Sequence, residues 1–414
     1  MQSDSEQLTP DQIRSDFPIL QRNVHGYPLI YLDNAATTHK PQVVLDRIKE
    51  VYEDGYSNIH RGAHYLSGIA SKSYEDARKT VKSFINATHE HEVIFTGGAT
   101  DSINLVAHSY GDAFVREGDE IIISGMEHHS NIVPWHMMCH RTGAKLKTLP
   151  ISEDGTLEAT TLKELISPRT RLVCLVHVSH VLGTVNDIRE LIRVCHEKDV
   201  PVLVDGAQAV QHLQVDVREL DADFFVFSGH KVFSETGIGV LYGKETWFDK
   251  MPPYRGGGGM ISSVSMEETS YGELPFKFEA GTSNYVAAVS LAAAIDYVKK
   301  SGLAAIKAHE EDVLAYAIDQ LNGVEGLTIY GNPPERCSVI SFNLEGVHHY
   351  DAGMVLDKKG IAVRTGKLCA EPLLDKLGES GVIRASFAMY NTKEDVDELI
   401  AGIRTTNELF GLGT

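Results

Sequence analysis

The sequence predicts an open, mostly parallel α/β sheet joined to a smaller α+β unit. Short apolar runs recur through the first two thirds of the chain, they lack polar–apolar alternation, and segments of helical period lie between them. Strands apolar on both sides suit a sheet covered by helices on both faces. Repeated strand–helix alternation suits parallel pairing. At 414 residues the chain is also too long for one small core, so two domains are expected.

The runs Glu92–Thr96, Glu120–Ser124, Arg171–Val178, Pro201–Asp205, Phe224–Ser228 and Gly239–Tyr242 read as buried strands. Between them, Ile188, Leu191, Ile192 and Cys195 fall on one helical stripe. After about residue 285 the texture changes. Val286–Lys299 is an Ala-rich apolar helix, and a second helix spans Leu303–Leu321. Strand-like pieces follow at Leu327–Tyr330 and Ser338–Asn343, then a late helix with Val396, Leu399, Ile400 and Ile403. These textures place a large α/β domain over residues 28–290 and a smaller α+β domain over 1–27 and 291–414. Thr9-Pro-Asp-Gln12 offers an N-cap with Pro at the first helical position, for a helix expected against the small domain.

Composition is that of an ordinary soluble protein, 43% hydrophobic and 23% charged. No apolar run reaches the ~18–20 residues of a membrane helix. The start, Met1-Gln-Ser-Asp-Ser-Glu6, lacks the basic and apolar regions of a signal peptide, so the cytoplasm is the expected location. A formal net charge of −19 disfavours nucleic acid and anionic membranes as partners. Five widely spaced cysteines with no Cys-x-x-Cys argue against a disulfide framework or a thiolate zinc site. Cys174 and Cys195 sit among apolar residues and read as core. Adjacent His128 and His129, after Glu127, point apart on regular structure, and no metal is expected.

In an open α/β sheet, ligands bind beyond the carboxyl ends of the strands. Asp205 follows one predicted strand directly, and Ser228, His230 and Lys231 follow another. The Gly97-Gly-Ala99-Thr100 turn opens a helix whose first N–H groups suit a phosphate. Together these supply what pyridoxal 5′-phosphate (PLP) requires: an amine for its aldehyde (Lys231), a carboxylate for its ring nitrogen (Asp205), and a phosphate cradle (Ala99, Thr100, Ser228 and His230). A flat group to stack on the ring is available in His128. Singly, each feature is more often an N-cap, a turn or a surface lysine.

The order of the motifs resembles fold-type I PLP enzymes of the class V aminotransferase group, and among them the SufS-type (group II) cysteine desulfurases and selenocysteine lyases. The strings are Tyr31-Leu-Asp-Asn-Ala-Ala-Thr-Thr38, Asn58-Ile-His-Arg-Gly62, Glu127-His-His-Ser-Asn-Ile-Val-Pro-Trp135, Val204-Asp-Gly-Ala-Gln-Ala209, Ser228-Gly-His-Lys231, Phe278-Glu-Ala-Gly-Thr282 and Arg384-Ala-Ser-Phe387. The resemblance implies that fold, with a seven-stranded type of sheet. It makes Lys231 the Schiff-base lysine, Asp205 the partner of the pyridine nitrogen and Gln208 a contact to the phenolic oxygen. His128 becomes the stacked histidine, available for proton transfer, and Arg384 the grip on the substrate carboxylate. Thr282 becomes a phosphate contact supplied by a second subunit, hence a homodimer. Cys369, on the loop after Arg364, becomes the nucleophile that takes sulfur from L-cysteine as a persulfide, leaves L-alanine, and passes the sulfur to an acceptor of the SUF pathway for iron–sulfur cluster assembly. Selenocysteine lyase, or another C–S or C–Se lyase, is the alternative.

The chain departs from the resembling pattern near the chemistry. Gly366-Lys-Leu-Cys369 stands where Gly-His-His-Cys is usual, and Ser234-Glu-Thr-Gly237 where a Gly-Pro-Thr-Gly turn is. Gly97 stands where Arg is frequent. His180 replaces an Asn that reaches substrate carboxylate and cofactor. It is bulkier, and an imidazole with its usual pKa near ~6.5 would bring charge there. Lys367, two residues before Cys369, is the expected cation favouring the thiolate.

Overall fold

The computed structural model describes residues 10–411. The chain start and the expected cap Thr9 lie outside the described residues. The main sheet has seven strands in the order Val93–Thr96, Gly239–Gly243, Phe224–Ser228, Val202–Asp205, Thr170–Val176, Glu120–Ser124 and Lys145–Leu149. All neighbours pair in parallel except Gly239–Gly243, which runs antiparallel to both of its own. Side chains along each central strand divide between two cores. Val173, Leu175, Val202, Val204, Phe225 and Phe227 enter one, with the helices Tyr65–Phe84, Ile188–His196 and Tyr285–Ser301. Leu172, Cys174, Leu203, Phe224 and Val226 enter the other, with Ala99–Phe114 and Val133–Thr142. Two covered faces explain why these strands read as continuous apolar runs.

Lys145–Leu149 is absent from the sequence expectation. It forms the outer edge of the sheet and is buried only at Leu149. Lysines on an exposed edge suit the need to block further pairing, and they also erase the apolar signal.

The second sheet is antiparallel, in the order Leu327–Ile329, Val339–Leu344, Val382–Ser386, Arg364–Gly366. The helices Leu303–Asn322 and Lys393–Leu409 supply Leu314, Ala317, Leu399 and Ile403 to its core, beside Phe342 and Ile383. Ile30 and Leu32 join that core from the N-terminal side. The first helix, Pro10–Ser15, is tied to the same region: Arg14 donates to both oxygens of Asp395, at 3.0 and 3.1 Å, and to the Tyr390 carbonyl.

Candidate active site

A cavity of about 450 Å3 opens beyond the carboxyl ends of Val202–Asp205 and Phe224–Ser228. Asp205 and Ser228 are the last residues of those strands, so strand geometry alone delivers both to the cavity. Phe224–Ser228 then turns through one 3-10 turn, Gly229–Lys231, and His230 and Lys231 line the same wall. Burial pushes the Lys231 amine down to about 8, and Arg384 adds to that, while Asp205 and Cys369 oppose it. Asp205 is buried, and its Oδ1 accepts from the Ala207 N–H at 2.9 Å. Burial raises its carboxyl pKa, against the pull of that N–H and of Lys231.

The opposite rim is the start of the helix Ala99–Phe114. Gly98 there has φ +148°, and a Cβ on Gly239 would lie 2.4 Å from the Gly98 Cα. Only glycine at 239 lets the turn close on the neighbouring strand. The Ala99 N–H donates to Ser228 Oγ at 2.8 Å, and the Thr100 and Ser130 hydroxyls share a 2.7 Å hydrogen bond.

His128 lines the cavity, and its Nδ1 accepts from the Ser130 N–H at 3.0 Å. Burial pushes its pKa down to about 3, with Lys231 the next cause, so the ring is neutral. The turn carrying it is locked by Glu127, which accepts from Ser124 Oγ, from Asn131 Nδ2 at 2.7 Å and from the Val176 N–H at 2.7 Å. Burial drives the Glu127 carboxyl up to about 8, while the Ser124 and Asn131 donors pull it down. The Glu-His-His string therefore serves a turn; among the described residues no metal-holding cluster of His, Cys, Asp and Glu occurs.

Arg384, on Val382–Ser386, is buried among cavity residues. It donates through Nη1 to the His180 carbonyl at 2.9 Å and through Nη2 to Asp33 at 3.2 Å, and its Nε has no partner. Asp33 also binds Arg364, whose Nη2 lies 3.2 Å from Oδ2. Two arginines thus converge on one carboxylate at the cavity wall.

His180 corrects one expectation. It is almost wholly buried, and burial, with His128, Arg384 and Lys231 nearby, holds its pKa well below the usual histidine range. The ring carries no charge, and its Nε2 meets the Leu368 carbonyl at 2.9 Å. Lys367 corrects another. Its ammonium is engaged by Glu371, four residues on, at the exposed start of the helix Glu371–Leu377. It is not free to act as the cation for Cys369. Cys369 itself is exposed and lines the cavity. Thr282 is exposed, ahead of Tyr285–Ser301, and is not among the residues lining the cavity of its own chain.

The residues fit PLP on the structure's own terms. One wall holds a lysine and a buried carboxylate, and another holds the start of the helix Ala99–Phe114 with the hydroxyls of Thr100, Ser130 and Ser228. Gln208 Oε1, His230 Nδ1 and Arg384 Nε are polar atoms without partners around the same space. Buried polar groups left open in this way mark a site shaped for a polar occupant.

The sequence matches the family described as aminotransferase class-V over residues 30–399. The chain belongs to the class-V aminotransferase family. Among its family relatives, a cysteine desulfurase of Escherichia coli (strain K12 / DH10B) is 50% identical over 402 residues, 97% of this chain and 99% of the relative. The cysteine desulfurase CsdA of E. coli, solved as an S-sulfonic acid, superposes with a TM-score of 0.91 at 38% identity, covering 97% of this chain and 99% of that one. The apo cysteine desulfurase of Thermococcus onnurineus NA1 gives 0.91 at 37% identity, with 98% of each chain covered. These likenesses extend to both sheets and bear out the fold-type I expectation.

Three residues of the site have no assigned role in the sequence reading. Glu127 is hidden by its neighbours, which suggest a metal instead. Asp33 lies inside a quoted motif, and only the fold brings it to Arg384, 351 positions away. Arg364 enters the sequence reading only as the residue ahead of the Cys369 loop, and in the structure it begins the strand Arg364–Gly366.

Proposed function

We propose that this family member is a cysteine desulfurase that converts L-cysteine to L-alanine and collects the sulfur on Cys369. The observation that carries the reading is the presence of Cys369, Lys231 and Arg384 around one cavity, although Lys231 lies far from the other two in the chain. Bound through Lys231, with Asp205, Gln208, Ala99, Thr100, Ser228 and His230 around it, PLP supplies an electron sink for the substrate α-carbon. Arg384, with Arg364 beside it, takes the substrate carboxylate through its unspent N–H donors. Lys231, with an amine near neutrality, removes and returns the α-proton. Cys369 Sγ attacks the substrate sulfur. An S–S bond forms as the C–S bond breaks, and the C–S electron pair stays on carbon, which takes a proton and leaves as alanine. Cys369 keeps the sulfane sulfur.

The same reading assigns Thr282 to the phosphate of a second subunit in a homodimer, and gives the sulfur to a SUF-type acceptor for iron–sulfur cluster assembly in the cytoplasm. It assigns residues 28–290 to the large domain, and 1–27 with 291–414 to the small one carrying the Cys369 loop. The E. coli cysteine desulfurase CsdA, solved as an S-sulfonic acid, is consistent with sulfur chemistry on this fold.

The test is to mix holoenzyme with L-cysteine and L-selenocysteine separately, to measure alanine, and to examine Cys369 by mass spectrometry. Alanine with an added sulfur on Cys369, and no alanine from cysteine in Cys369→Ser, is expected. Undiminished alanine from cysteine in Cys369→Ser would sink the persulfide step.

A further inference from the structure

We infer that His180 is a positioning residue that latches the Cys369 loop against the cavity wall. The inference rests on the reading of Cys369 as the sulfur-accepting group. Residues Leu368 and Cys369 have φ of +53° and +55°. That left-handed region is disfavoured for residues carrying a Cβ, and two in succession do not hold it unaided. Something outside the loop must fix it.

The structure shows what does. His180 Nε2 donates to the Leu368 carbonyl at 2.9 Å, within the peptide that leads into Cys369. On the far side of that cysteine, the Cys369 carbonyl accepts from the His129 N–H at 2.8 Å, and the Glu371 N–H donates to His129 Nε2 at 3.2 Å. The Leu368 side chain is buried among Met126, Ile151, Val176, Val181 and Leu373. The loop is therefore clamped before and after the thiol, while Cys369 itself stays exposed.

His180 suits this duty because of its surroundings. It follows the strand Thr170–Val176 by four residues, its ring meets His128 edge-on at 4.9 Å, and its own carbonyl receives Arg384. One residue thus ties the carboxylate-binding arginine and the cysteine loop to the same strand end. A neutral imidazole that donates through Nε2 keeps its lone pair on Nδ1, so the ring has no second N–H to offer. An asparagine, the residue expected there from the resemblance, has a shorter side chain and would leave the Leu368 carbonyl unserved. The two departures noted at 180 and 368 are in direct contact.

The test uses full-length holoenzyme as the parent, His180→Asn and His180→Gln, the last offering an N–H on a longer side chain. Amide hydrogen exchange is read in peptides spanning residues 366–371 and in the strands Thr170–Val176 and Val202–Asp205. His180→Asn is expected to speed loop exchange by roughly fivefold to tenfold, the weight of one buried hydrogen bond. The strands should stay protected, and His180→Gln should recover most of the loss. Alkylation of Cys369 by iodoacetamide should change in the same order of variants. Loop exchange within twofold of the parent in His180→Asn would overturn the latch, as would an equal rise across loop and strands. Mass spectrometry of Cys369 in the parent after L-cysteine reports the sulfur-acceptor reading separately. A loop that loosens in His180→Asn while Cys369 gains no sulfur upholds the latch as a structural contact and removes its catalytic purpose.

Discussion

Replacing Asp33 by asparagine isolates the charge balance on which the arginine pair depends. Arg384 has a side chain 3% exposed, and its facing carboxylate on Asp33 is 16% exposed at 3.2 Å. At an effective dielectric of 20, two unit charges at 3.2 Å attract by about 5 kcal/mol. That gross figure is reduced because the asparagine Oδ1 still accepts a hydrogen bond, and because the second partner, Arg364, is half exposed and contributes about 1 kcal/mol at most. Leaving one member of a buried pair uncompensated costs about 3–5 kcal/mol. A net loss of about 2–3 kcal/mol is therefore expected for Asp33→Asn, read by urea unfolding of the cofactor-free protein. The substrate carboxylate should offset part of that loss, since it brings Arg384 the negative charge Asp33 no longer supplies. Adding L-alanine should accordingly raise the unfolding midpoint of the variant more than that of the parent. A variant within about 0.5 kcal/mol of the parent, with equal response to alanine, would refute the idea that Asp33 holds the charge of Arg384.

Three further outcomes follow from the same geometry. Lys367→Ala should leave the pH profile of Cys369 alkylation by iodoacetamide in place, because Glu371 already holds that ammonium; a rise of about one pH unit in the profile would restore Lys367 as the cation behind the thiolate. Glu127→Ala strands the Asn131 amide, the Val176 N–H and the Ser124 hydroxyl in a buried turn and should cost about 3–5 kcal/mol. Thermal melts check this, and Trp135, whose Nε1 donates to Asn131 at 2.8 Å, serves as a local fluorescence probe. His128 has a folded pKa of about 3, below its unfolded value, so as pH falls from ~6.5 the unfolded chain takes up the proton first. Stability linked to this ring is full above ~6.5 and lost toward the folded pKa, by at most about 1.4 kcal/mol per pH unit, and His128→Asn should flatten that slope in urea titrations of cofactor-free protein; identical slopes count against it.

Much of this fold was legible because its central strands are covered on both faces. Phe224–Ser228 and Val202–Asp205 send alternate residues into two apolar cores, and so appear as unbroken apolar runs. The same logic hid Lys145–Leu149, which has solvent along its free edge, and Val382–Ser386, where Arg384 interrupts the apolar signal in mid-strand. Site residues that follow a strand directly, such as Asp205, Ser228 and Lys231, were legible because position on the sheet determines their place. Those whose role depends on a partner far along the chain were not. Nothing local to Asp33 announces Arg384, and nothing local to His180 announces the Leu368 carbonyl. Lys367 misled for the opposite reason: it lies two residues from Cys369 in sequence, but its partner in space is Glu371.

Burial and neighbouring charge also sort the titratable groups that line the cavity. His128, His180 and His230 all line the cavity, and burial lowers all three, His128 to about 3 and His230 to about 4. Lys231 adds its charge to the causes in each case. A base works best when its pKa lies near the operating pH. An imidazole pushed down to about 3 is too weak to hold a proton at neutrality, so His128 can stack or donate a hydrogen bond but is a poor proton acceptor. Lys231, drawn down from 10.5 to about 8, is the cavity group brought closest to neutrality from above. Burial lowers the three rings first, and Lys231, which adds to the lowering of each, is also the amine that the proposed reaction would use. On the proposed reading, Arg384 would set the substrate carboxylate and Lys231 would move the proton, which leaves the neutral rings to shape the cavity and, through the proposed His180 latch, to hold the thiol where the sulfur will be.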